Sequence, residues 1–107
     1  MKDRCVFYPK LYIGDSVKGV GLLKRRLKSG KGKIGVWCVL SAPWTNGRLA
    51  IMHSSLMGMT MSPEYPAKIY GIAASKAEAK RLVARISEDA SSAGMEGRLK
   101  EFVDSRW

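Results

Sequence analysis

The sequence predicts an α/β domain: a small three-stranded, mostly parallel sheet in the order β-α-β-α-β-α-α, with helices packed on it. Three observations predict it. Residues 34–41 (IGVWCVLS) and 67–73 (AKIYGIA) are nearly continuous apolar runs, the pattern of strands covered on both faces. Segments with a helical apolar stripe lie between and after them. Strand–helix alternation of this kind favours parallel strands joined by right-handed crossovers. With 107 residues and 46% hydrophobic content, the chain is expected to form one domain, 1–107, with a real core.

The elements follow in order. Residues 5–13 (CVFYPKLYI) are β-branched and aromatic and read as a strand, with Pro9 marking an edge or an interruption. Gly14-Asp15-Ser16 is turn chemistry. A short helix over 19–29 carries Val20, Leu23 and Leu27 on one stripe, and Gly30 is placed to end it. After the second strand, 42–47 is a loop. Residues 48–57 fit a helix, because Leu49, Met52, His53, Leu56 and Met57 recur at helical spacing while strand alternation is poor. The alternative, with 48–57 as a strand, is an α+β sheet. A proline-bearing loop over 58–66 leads to the third strand. Ser75 and Glu78 form a capping box, Ser75 accepting from the Glu78 amide and Glu78 reaching back to the Ser75 amide. Ala79, Leu82, Val83, Ile86 and Ala90 line one face of the helix it opens, and a last helix over 96–105 is expected to bury Leu99, Phe102 and Val103.

Composition excludes several classes. No stretch of about 18 uncharged apolar residues exists to span a membrane. Lys2, Asp3 and Arg4 are followed by no signal-peptide core, so the expected compartment is the cytoplasm. Cys5 and Cys38 sit in strand-like runs and read as buried, reduced thiols. Two Cys and one His do not make a zinc site, and no metal or other cofactor is expected. Met57, Met59 and Met61 with His53 form a set of soft ligands, but gap-filling in a core is the commoner use of methionine. His53 lies in the apolar stripe, where a packed, hydrogen-bonded histidine is commoner than a base, and catalysis would need an orienting partner that the sequence does not name. Gly30–Gly35 spells a dinucleotide fingerprint by letter, yet a helix precedes it and a strand follows, the reverse of what that motif needs. Gly14 and Gly19 have the spacing of a phosphate-loop pair, but Val20 stands where lysine is required.

Charge is the most directive feature. The net charge is +10, and residues 1–54 hold eleven Lys/Arg against two Asp/Glu, whereas 55–107 hold eight against seven. Residues 18–33 (KGVGLLKRRLKSGKGK) contain seven cations and no acid. A plain wet helix face mixes signs, as Glu78/Arg81 and Arg85/Asp89 do in the long C-terminal helix. The stretch therefore reads as a polyanion surface, nucleic acid first, with Lys24, Arg25, Lys28, Lys31 and Lys33 on phosphates and Lys18 and Arg26 peripheral. Tyr8, Tyr12, Trp37 and Trp44 are candidate base-stacking groups, with Trp37 better suited to the core and Trp44, in a loop, the best placed.

Two other readings compete. Residues 34–63 carry a single charge, Arg48, and suit a protein–protein adaptor or homo-oligomer, the cations then meeting an acidic partner. In a parallel sheet the carboxyl ends of the strands would gather Asp15, Ser16, Trp44, Asn46 and Ser75 around a small ligand or phosphate. No catalytic residue is assigned, and asparagine, aspartate and serine at such positions more often serve as caps and turns.

Overall fold

The computed structural model describes residues 3–107, apart from the side-chain surroundings of positions 57 and 58. Eight elements follow in order: β1 (Cys5–Ile13), α1 (Val20–Lys28), β2 (Trp37–Ser41), β3 (Ala50–His53), α2 (Met57–Thr60), β4 (Ala67–Ala73), α3 (Lys76–Ser92) and α4 (Leu99–Ser105). One sheet runs β1-β4-β2-β3. β1 and β4 are parallel, while β2 is antiparallel to both β4 and β3. The α/β class holds. The expected sheet of three mostly parallel strands does not, since there are four strands and two of the three pairings are antiparallel.

Residues 29–36 explain the reversed strand. α1 returns the chain along β1, so that the Arg4 amide donates to the Lys28 carbonyl at 3.0 Å. A parallel crossover would start its second strand there. Instead α1 ends in a tight left-handed turn: Gly30 has φ 79°, its amide donates to Leu27 at 3.0 Å, and Lys31 donates to Arg26 at 2.8 Å. The chain then travels back up the sheet, and Trp37 pairs with Ala73 at the far end of β4. Residues 34–36 belong to this returning strap and not to the strand. Ile34, read as core, is therefore 93% exposed.

The second correction is at 48–57. Ala50–His53 is a strand, as in the α+β alternative, and only Ser54–Leu56 and α2 coil afterwards. Met52 packs toward one face of the sheet and Ile51 toward the other, which is strand alternation over too few residues to be visible in the sequence. His53 consequently stands opposite Trp37 across the β2–β3 pair, with its ring 5.0 Å from the indole and edge-on to it.

Each face of the sheet carries a core. Leu23 and Leu27 of α1 pack with Cys5, Cys38, Leu40, Ile69 and Ile72 on one side. Leu82 and Ile86 of α3, with Phe102 and Val103 of α4, pack with Tyr8, Val39 and Tyr70 on the other. Both cysteines are buried, as expected. β1 is an edge strand, and Pro9 lies in its unpaired stretch between Phe7, opposite Ile69, and Tyr12, opposite Gly71. No described helix is long and apolar enough to cross a membrane.

Gly14, at the end of β1, sits tightly against β4 and the start of α3. Its amide donates to Ile72 at 2.9 Å, and a β-carbon there would overlap the Glu78 carboxylate. Gly14→Ala is expected to lower the unfolding free energy by about 1–3 kcal/mol, the usual range for overpacking. Gly21, on α1 with open space around it, is expected to gain about 0.4–1 kcal/mol on replacement by Ala. Urea denaturation of both variants measures the contrast.

Candidate functional site

The strand-end ligand set does not come together. Because β2 runs antiparallel to β4, Ser41 pairs with Lys68 near the start of β4, so Trp44 and Asn46 follow β2 at the opposite end of the sheet from Asp15, Ser16 and Ser75. Asn46 is a turn residue at φ 55°. Asp15 and Ser16 form an exposed turn, and Ser75 caps α3 by accepting from the Glu78 amide at 3.0 Å. Glu78, only 6% exposed, accepts from the amides of Ala74 at 2.8 Å and Ser16 at 3.2 Å, not from Ser75 as the capping box predicts. These partners make the cluster a joint between the β1 turn and α3.

The basic stretch is organised by α1. Leu23 and Leu27 face the sheet, which puts the charged residues on two flanks and a crest. On the flank toward β1, the Lys24 and Lys28 ammonium groups lie 5.6 and 6.0 Å from the Phe7 ring centre. Arg25 stands exposed on the crest. On the other flank Lys18, Leu22, Arg26 and Lys33 line a cleft of about 250 Å³ between α1 and the strap. Arg26 also donates to the Gly32 carbonyl at 2.8 Å, which fixes the strap against the helix. Lys18 and Lys33 continue into an adjoining cleft of about 210 Å³ that Ser16 and Ile34 share. Lys18 and Arg26, which the sequence places at the periphery, are thus gathered with Lys33. Lys31 lies exposed beside Arg26. Among the described residues, Lys28 is the only one of the seven within ion-pair reach of a carboxylate, Asp3 at 3.8 Å.

A second concavity, of about 370 Å³, lies at the end of the sheet where β2 stops and β4 starts. Pro43, Trp44, Met59, Thr60, Met61, Ser62 and Tyr65 line it. Trp44 is 45% exposed, Tyr65 67% and Met59 84%. Sequence reasoning named Trp44 but not Tyr65. The signal was present: Tyr65 is an aromatic residue in a loop, between Pro63 and Pro66. Arg4 ties this region to the basic helix, its amide bonding the Lys28 carbonyl and its guanidinium the Met61 carbonyl, both at 3.0 Å.

The remaining candidates are structural. Tyr8 stacks on Tyr12 and lies against Tyr70 and Trp107 under α3 and α4, so neither Tyr8 nor Tyr12 presents a free face for a base. Trp37 is half-buried beside His53. Met61 is core, Met59 is exposed, and the Met57 side chain lies outside the described residues. The Tyr70 hydroxyl bridges Ser41 at 3.0 Å and Asp104 at 2.5 Å, and Lys100 donates to Asp104 at 2.6 Å. Burial opposes ionisation of Asp104, but the Lys100 and Tyr70 hydrogen bonds and the nearby Lys68 charge outweigh it and hold the carboxyl below its usual range. The same burial, with the bond to Asp104, pushes the Tyr70 phenol up. Burial also raises the Cys5 and Cys38 thiols to about 12, far from a nucleophilic thiolate. No family model, curated protein or solved structure matches this chain.

The Glu78 joint carries a pH signature. The Ala74 amide, aided by Ser16 and by the Arg81 charge against the opposing effect of burial, holds its carboxyl below the ordinary 4.5. A depressed carboxyl stabilises the fold above its unfolded value, and the contribution disappears as pH falls through the folded one. Urea melts of Glu78→Gln from pH 6 down to pH 3 are expected to give a flatter acid limb than the parent chain, with the difference between the two largest at pH 6.

Proposed function

We propose that the chain binds a polyanion, specifically nucleic acid, without catalysis, through the surface that α1 and residues 29–36 form together. The observation that carries this reading is the arrangement of seven cations on two flanks and the crest of one short helix and its strap, with a single described carboxylate in ion-pair reach. Cations gathered on one helix and its strap with few carboxylates to offset them repel one another, a tension that an incoming polyanion relieves. Lys18, Arg26 and Lys33 surround a cleft able to seat a phosphate, while Lys24, Arg25 and Lys28 offer a second row along the helix. Phosphate contact on both rows supplies affinity but no sequence preference.

The test is fluorescence anisotropy of labelled oligonucleotides across a salt series. Contact with about five to seven phosphates corresponds to a log–log salt slope of roughly −4 to −6, taking 0.7–0.9 per phosphate. Two triple variants separate the rows: Lys18→Glu with Arg26→Glu and Lys33→Glu, and Lys24→Glu with Arg25→Glu and Lys28→Glu. Each is expected to weaken binding by at least an order of magnitude and to make the slope shallower by about two to three, at roughly 0.7–0.9 for each phosphate lost. Absence of binding by the parent chain at low salt rejects the reading and leaves α1 a solvated face.

A further inference from the structure

We infer that the cavity between Trp44, Tyr65 and Met59 receives an unpaired base, so that the nucleic acid held by this chain is single-stranded. The inference rests on the basic-surface reading and names the form of its partner. Three observations carry it.

The first is exposure. Trp44, Tyr65 and Met59 stand 45%, 67% and 84% exposed around one concavity. Large apolar side chains left together in water at a concave place mark a surface that something else covers. The second is the chemistry of the wall. An indole, a phenol and a thioether offer flat or polarizable apolar surface, with no charged side chain among the lining residues. Such a wall offers a phosphate no counter-charge and suits an uncharged heteroaromatic ring. Stacking on aromatic side chains is how sequence-tolerant single-strand binders hold bases, because every base has a π-face. The third is continuity. Arg4 is hydrogen-bonded both to the last turn of α1, at Lys28, and to the cavity wall, at Met61. One residue thus joins the C-terminal end of the basic helix to the wall of the apolar cavity, so a strand whose phosphates follow Lys28 has the cavity within the same end of the fold. A duplex keeps its base faces stacked within the helix and has nothing to place there.

The experiment compares three labelled probes of equal length at one salt concentration: a pyrimidine single strand, the same strand annealed to its complement, and a strand of abasic sugar-phosphate units. The single strand is expected to bind roughly tenfold or more tighter than the abasic strand, with the same salt slope. Trp44→Ala and Tyr65→Ala are each expected to remove most of that advantage, leaving the salt slope, abasic binding and thermal midpoint unchanged. The abasic comparison needs no substitution, so it stands whether or not a variant folds. Equal binding of all three probes overturns the inference and leaves the basic-surface reading intact. Duplex binding tighter than single-strand binding likewise overturns it. Failure of every probe to bind overturns both.

Discussion

Everything in this fold hangs on β4, a strand that must satisfy two different neighbours and two different cores at once. Ala67, Ile69, Tyr70, Ile72 and Ala73 have no exposed surface. β4 takes a parallel partner on one side and an antiparallel partner on the other. Simple alternation would place Ile69 and Ile72, three residues apart, on opposite faces. Both belong to the core under α1, and the register shift between Val39 and Leu40 in the β2–β4 ladder is what allows it. Tyr70 and Gly71 together face the α3 and α4 side, where Leu82 approaches Gly71 and the Tyr70 hydroxyl reaches Asp104. One extra residue thus lets a seven-residue strand supply isoleucines to one layer and a hydrogen-bonded tyrosine to the other.

What could be read in the sequence follows from the range of the forces involved. α3 was legible because its cap, its apolar stripe and its end are all local. The terminating turn of α1 was legible for the same reason: Gly30 follows a helical stripe, and only glycine accepts that conformation without strain. The direction of β2 was not. Apolarity marks a strand as buried but says nothing about which way it runs, and direction here depends on residues 29–36 making one more pass than a simple crossover needs. β3 was misread because four residues show too little alternation, and the turns that follow it supplied a false helical spacing.

The site was half legible for a related reason. The cations of 18–33 are a property of composition, and their placement on α1 follows from a local stripe. Which of them converge does not, because Lys33 reaches Lys18 and Arg26 only through the strap. The ligand set built from Asp15, Trp44, Asn46 and Ser75 presumed a parallel sheet and separated once β2 reversed. Trp44 then acquired a different companion, Tyr65, from the loop before β4.

The same topology converts an asymmetry of the sequence into an asymmetry of the molecule. The first half of the chain, with its surplus of nine positive charges, provides α1 and the strap that cover one face of the sheet. The second half, nearly neutral, provides α3 and α4 on the other. Three of its seven acids are occupied there: Glu78 holds the amides of Ala74 and Ser16, Asp89 accepts from the Tyr12 hydroxyl at 2.5 Å, and Asp104 anchors Tyr70 and Lys100. Carboxylates committed to holding the helices on one face are unavailable to neutralise cations on the other. The positive surface therefore needs no dedicated device beyond strand order. The acid-free stretch of cations lies with α1 and the strap on one face of the sheet, while these three acids hold the helices of the other.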